Sequence, residues 1–210
     1  MALRIMAVLR LAFAALGGYT LGFAAHSAVT PPDGTGIVNF FSYFTVLSNC
    51  AATVVLAAGG VAVLLGRRGV PGRVRGAVAA YMTVTGVIYL VVLQADAEGQ
   101  LLPWVDDVLH RLLPAFVFVD WLAVPPRRRV EYAVVPSWLV FPVVFLAYSL
   151  VRGPAARGYP YPFLDPRVDG YLHVVAETFV VALVICVICL LIVWLGGLAR
   201  RSAPDSYRAL

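Results

Sequence analysis

The sequence predicts an all-α, polytopic membrane protein: a six-transmembrane-helix bundle with both termini cytoplasmic. Three observations predict it. Hydrophobic residues make up 61% of the 210 and charged residues only 13%, with a mean hydropathy of +0.88, which argues against a soluble domain of this length. Apolar runs at Ile5–Ala28, Val38–Leu65, Val74–Leu93, Val105–Val124, Tyr132–Val151 and Tyr171–Leu198 each reach the roughly 17 to 25 residues a spanning helix needs. The basic residues, all of them arginine, gather at alternate ends of these runs.

At the first run, Arg4 and Arg10 precede an apolar stretch that ends in the small-residue sequence AAHSA, a pattern shared with secretory signals. Its apolar stretch is long for a signal, and the charge pattern is more consistent when the run is kept as a span. The second run carries Asn39, Ser42, Thr45, Asn49 and Thr53 at spacings of three or four, which is one stripe along a helix. Hydroxyls and amides commonly join helices in lipid, and Ser42 and Thr53 are read that way. Thr45 lies deeper, roughly 10 Å below a helix start near Val38 at 1.5 Å per residue.

The fourth run places His110 at comparable depth, roughly 8 Å below Val105 by the same rise. Asp106 and Asp107 precede it by four and three residues, so either carboxylate is placed to take the ring proton and fix the tautomer. A lone histidine near a helix start is more often interfacial than catalytic, and both readings stand. At the other end of this run, Asp120 and Trp121 precede Pro125-Pro126 and three arginines. They are read as inner-interface anchors, with Asp120 pairing Arg127 or another nearby arginine.

The fifth run ends in Tyr148 and Arg152, suited to an anionic head group or a free carboxylate, although Arg152 also fits an interfacial arginine that snorkels. Tyr159–Asp165, reading YPYPFLD, is stiffened by its prolines. It suits a lid over a cavity, with Tyr161 a candidate substrate contact, and equally a plain aromatic belt. The sixth run sets His173 and Glu177 four residues apart on one face, either to orient a catalytic group or to join His110 and an aspartate as metal ligands. No HExxH or paired CxxC motif accompanies them. Cys186 and Cys189 have redox spacing but an apolar setting, and are read with Cys50 as packing.

Orientation follows the arginines. Arg4, Arg10, Arg67, Arg68, Arg73, Arg75, Arg127, Arg128, Arg129, Arg200, Arg201 and Arg208 fall on one side, which is cytoplasmic by the positive-inside rule. The opposite loops carry Asp33, Asp96, Glu98, Asp165 and Asp169 against Arg152, Arg157 and Arg167. The net charge of +5 therefore reports topology rather than nucleic-acid binding. Residues 1–199 are expected to form one transmembrane domain and 200–210 a short cytoplasmic tail. The arginine-rich, lysine-free composition points to a bacterial source and hence to the cytoplasmic membrane. Oligomeric state is not written in the sequence.

FSYFTVLSN at Phe41–Asn49, TGVIY at Thr85–Tyr89, LHRLLPAFVFVDW at Leu109–Trp121 and YPYPFLD at Tyr159–Asp165 together resemble the bacterial six-proline (Pr-six-Pr) integral membrane protein family. That family is in turn distantly similar to the eukaryotic androgen-induced membrane proteins, six-helix threonine hydrolases that act on fatty acid esters of hydroxy fatty acids. A threonine of the second helix and a histidine of the fourth are the catalytic pair there, so the resemblance implies Thr45 and His110.

The leading expectation is a membrane-embedded lipid ester hydrolase with Thr45 as nucleophile and His110 as base, no metal and no cofactor. Asn49, one turn below Thr45, is a candidate oxyanion donor. Asp106, Asp107, His173 and Glu177 are candidate orienting groups, and Tyr148, Arg152 and Tyr161 candidate substrate contacts. No GxSxG nucleophile elbow is present. Two alternatives remain: a non-enzymatic protein that binds or transports a lipid or small solute, and a zinc-dependent membrane hydrolase built on His110, His173 and Glu177.

Overall fold

The computed structural model describes residues 2–29, 36–93, 102–156 and 158–203, and these are helical with no strand among them. Ala2–Val29 is α1, and a short helix, Gly36–Phe40, is α2. Phe44–Leu64 is α3 and Gly72–Ile88 is α4, which runs on through a π-helical turn at Tyr89–Leu93. Pro103–Asp107 is α5, followed by a second π-helical turn at Val108–Leu112 and by Leu113–Ala123, α6. Val135–Ala155 is α7 and Pro166–Ser202 is α8. Asp33, Asp96, Glu98, Arg157 and Arg208, used above to read orientation, lie outside the described residues, as do the side chain of Asp169 and most of the tail.

Among the described residues, five helices are long and apolar enough to cross a membrane: Ala2–Val29, Phe44–Leu64, Gly72–Val92, Tyr132–Ala155 and Gly170–Ser202. The expected fourth run is instead three helical pieces joined end to end. Pro114 explains the interruption: it has no N–H to give the His110 carbonyl four residues back, so the regular ladder breaks there.

Chain punctuation is local. Pro71 precedes α4, and Pro103 and Pro166 occupy the first turns of α5 and α8, where a missing N–H costs nothing. Gly66 closes α3 at φ +65, and Arg67 N–H reaches back to the Ala62 carbonyl at 2.8 Å, the closure glycine allows after a helix.

α4 is the most enclosed of the five, with 56% of its apolar window buried against 22–39% in the others. It packs on α3, α6 and α8, while α1 lies along α3. Gly76 lets the tryptophans in: a Cβ there would sit 2.6 Å from Trp138 and 3.1 Å from Trp121, the close approach that small residues give packed membrane helices.

The arginine-bearing ends meet at one end of the bundle. Arg200 Nε donates to the Arg127 carbonyl at 3.1 Å. Asp120, read above as an inner-interface anchor pairing Arg127 or another nearby arginine, is instead buried in the bundle. It is 4% exposed and pairs Arg10 (Nε to Oδ1, 2.7 Å) and Arg75 (Nη2 to Oδ2, 2.9 Å). A carboxylate held in the apolar bundle needs charge and donors around it, and Arg10 and Arg75 reach it from α1 and α4. Trp121 is not interfacial either: it is 1% exposed and its indole N–H donates to the Ile192 carbonyl at 2.9 Å.

Candidate functional site

The opposite end of the bundle holds a cavity of about 570 Å³ lined by polar groups from four parts of the chain: Thr45, Tyr89, Asp106, His110, and Tyr159 with Tyr161 from the loop. A second, apolar cavity of about 200 Å³ lies beside it among α4, α7 and α8. Thr45 and Tyr161 line both, so they stand where the two chambers meet.

Thr45 is 8% exposed. It is the second residue of α3, whose N-cap, Tyr43, has extended backbone and gives no side-chain cap. The first amides of a helix have no partner within it, and here two of them, Phe44 and Thr45, face the Tyr161 hydroxyl. That hydroxyl also meets the Thr45 side chain.

His110 belongs to the second π-helical turn. Its Nδ1 lies 2.9 Å from Asp106 Oδ1 and 3.2 Å from the Asp106 carbonyl. Both neighbours only accept, so Nδ1 carries the proton and Nε2 keeps its lone pair. The His110 and Asp106 side chains are 11% and 15% exposed. Tyr89, from the first π-helical turn, donates its hydroxyl to the other oxygen, Asp106 Oδ2. Its ring stacks on His110. The two π turns carry Tyr89 and His110 and, with Asp106 from α5, bring a Tyr–Asp–His set to one wall, in keeping with the frequent placement of such turns at functional sites.

Of the two aspartates left open by the sequence, Asp106 holds the histidine. Asp107 pairs with Arg111 instead. Asn49 is fully buried, and its two amide protons go to the Thr45 carbonyl at 2.8 Å and the Leu109 carbonyl at 3.1 Å. It ties α3 to the histidine-bearing segment, and an oxyanion would find its donors already used.

His173 is exposed and Glu177 half-buried on α8, and neither lines the two cavities. Among the described residues no three His, Cys, Asp or Glu come together as they would around a metal ion. Tyr148 and Arg152 stand apart from both cavities. Tyr148 pairs its hydroxyl with Ser42 at 2.8 Å, and Arg152 Nη2 donates to Asn39 Oδ1 at 3.1 Å, so these contacts join α7 to the start of the second span. Ser42 is helix glue, as its sequence context suggests.

The YPYPFLD loop forms part of the wall of both chambers. Tyr159 packs so closely on Gly153 that a Cβ there would overlap its ring. Asp165 caps α8 by accepting from Arg167 N–H at 2.9 Å, and hydrogen bonds from the Arg167 guanidinium hold its carboxyl below the usual range. Tyr89 is a residue of this wall that the sequence does not single out as a site candidate. The signal was its depth: it ends the third apolar run at the level of the polar layer.

Compared with protein-family models, with curated proteins and with solved structures, the chain finds no match in any of the three.

Proposed function

We propose that the chain is a lipid ester hydrolase embedded in a bacterial cytoplasmic membrane, with Thr45 as nucleophile and His110 as general base, and that it belongs with the six-proline family and, more distantly, the threonine hydrolases it resembles. The observation that carries the reading is the arrangement at the polar cavity. Thr45 and His110 line it together, and Asp106 fixes the histidine with Nε2 free to take a proton.

A secondary hydroxyl is a weak nucleophile until a base removes its proton. His110, once protonated, is steadied by Asp106, as a third group steadies the base in triads on unrelated folds. Thr45 then attacks the ester carbonyl, the alcohol leaves with the proton from His110, and water releases the acid from an acyl-threonine. The apolar cavity beside Thr45 suits a fatty acyl chain, since ligand sites are commonly apolar with a few convergent polar groups. The Pro103–Ala123 segment is the sixth crossing in this reading: 21 helical residues rise about 31 Å at 1.5 Å each, enough for a hydrocarbon core of about 30 Å. Both termini are inside, because the arginine-bearing end faces the cytoplasm.

One observation favours a second reading. Adjoining polar and apolar chambers also suit a protein that only holds or passes a lipid or small solute. Hydrolysis of a panel of lipid esters by purified protein in detergent separates the two, run beside Thr45→Ala and His110→Ala and with a chelator. The hydrolase reading expects turnover that survives the chelator and falls by on the order of 10²–10⁴-fold in each variant. No turnover on any ester, with the variants folded, leaves the binding reading.

A further inference from the structure

We propose that Tyr161 is the residue whose O–H holds the oxyanion of the tetrahedral intermediate, an assignment that rests on the Thr45 hydrolase reading above. Attack on an ester drives negative charge onto the carbonyl oxygen, and a preorganised donor aimed at that oxygen is among the largest contributions an enzyme makes. Asn49 is the donor the sequence offers, but its amide protons are committed to Thr45 and Leu109 carbonyls, and its buried Oδ1 has no partner. Oδ1 is an acceptor and would repel an oxyanion. The donor must come from another element.

Tyr161 stands at the required place. Its hydroxyl meets the Thr45 side chain, and it shares with Thr45 the boundary between the apolar and polar cavities. An ester with its acyl chain in the first chamber and its alcohol in the second has its carbonyl between these two residues. The ring is held on several sides, stacked on Phe163 at 5.3 Å between centroids, edge-on to Tyr43 at 5.8 Å and tilted against Phe145 at 6.1 Å. Only 9% of the residue is exposed. The hydroxyl is therefore positioned before substrate arrives.

The start of α3 sharpens this. The N–H groups of Phe44 and Thr45, at the N-terminal end of α3, lie close to the Tyr161 oxygen, so the positive end of a helix adds to the donor side of the site. Burial pushes the phenol up to about 12, so it is a neutral donor throughout the physiological range. In the reaction, Thr45 Oγ1 bonds to the carbonyl carbon as its proton passes to His110 Nε2, and the carbonyl π pair moves to oxygen. Tyr161 donates a hydrogen bond to that oxygen and keeps its proton. The pair then returns, the bond to the alcohol oxygen breaks, and that oxygen takes the proton from His110.

The test is a stopped-flow burst with a series of p-nitrophenyl fatty esters, read together with the intact mass of the acylated protein. Wild type is expected to release one equivalent of nitrophenolate and gain one acyl group on Thr45, and Thr45→Ala to do neither. Tyr161→Phe keeps the ring and is expected to slow the burst by on the order of 10²–10³-fold, with half-saturation moved by less than about threefold, since the lost contact is made only in the transition state. Tyr132→Phe, an exposed tyrosine at the arginine-bearing end that lines neither cavity, is expected to react at the wild-type rate. A wild-type burst rate in Tyr161→Phe overturns the Tyr161 assignment and leaves the hydrolase reading standing. No burst and no Thr45 adduct in wild type with any ester of the series overturns both. If Tyr161→Phe does not fold, 3,5-difluorotyrosine introduced at position 161 keeps ring and hydroxyl while changing donor strength. A rate that follows the phenol's acidity then supports the assignment, and an unchanged rate overturns it.

Discussion

His110 lies flat on Tyr89, with ring centroids 4.2 Å apart and 15° between the planes. The same tyrosine donates to Asp106, whose second oxygen receives the His110 ring nitrogen. Tyr89 thus fixes the imidazole twice, by its face and through the carboxylate. Tyr89→Phe removes only the hydroxyl, and a hydrogen bond to a charged group contributes about 1.5–3 kcal/mol. Ester turnover should fall by about 10- to 10²-fold. Tyr89→Ala also removes the stack and should fall further. Comparing kcat/KM for the two variants checks this, with equal loss in both arguing that the stack does not matter.

The two aspartates ahead of the histidine make opposite predictions. Asp106→Asn offers His110 an amide that can present N–H instead of a carboxylate, so the imidazole loses the partner that sets its tautomer. In serine proteases the equivalent change costs about 10⁴-fold in kcat, and a loss of at least about 10²-fold is expected here by the same argument. Asp107→Asn only weakens a half-exposed pair with Arg111. It should leave turnover within about twofold, since exposed ion pairs contribute little. Measured side by side, similar losses in the two would show that proximity to His110, not the specific bond, is what counts.

Asp165 gives a dependence on pH. Its carboxyl is held below the usual aspartate range by Arg167, so the folded protein binds that proton less readily than the unfolded chain. The contribution to stability is complete above the ordinary aspartate value of about 3.9 and is lost as pH falls through the lower folded value. Thermal melting from neutral to acid pH should show Asp165→Asn converging on wild type at the acid end and lying below it near neutrality. A constant gap across that range would remove the charge from the explanation.

The apolar runs and the depth of Thr45 and His110 are legible in the sequence because both rest on local quantities, hydropathy and a rise of 1.5 Å per residue. What a residue touches across the bundle is not local. Asp120 shows this: beside Pro125-Pro126 and three arginines it reads as an interfacial anchor, and only the packing of α1 and α4 on α6 brings Arg10 and Arg75 to it. Asn49 is a second case. A helical position says how deep an amide lies, but not that two carbonyls take its protons. The π turns that carry Tyr89 and His110 escape a reading based on regular periodicity, although Pro114 marks the place where regularity has to end.

Arg10, Asp120 and Arg75 make the strongest structural prediction. Their cluster joins three helices, and both guanidiniums sit on one carboxylate whose side chain is 6% exposed. Arg75 also donates to the Val124 carbonyl at 2.8 Å and lies over the Trp121 ring. Asp120→Asn leaves two arginines facing each other in an apolar setting without their counter-charge. Removing one partner of a buried pair costs about 3–5 kcal/mol, so the melting temperature in detergent should fall sharply. Replacing Arg10, Arg75 and Asp120 together with apolar residues of similar volume should restore much of the loss, since such replacements are often neutral or stabilising. The cluster lies at the end of the bundle opposite His110. Protein of either kind that remains folded should therefore hydrolyse esters at the wild-type rate per molecule. Loss of turnover in a folded Asp120→Asn protein would instead make the cluster part of the chemistry.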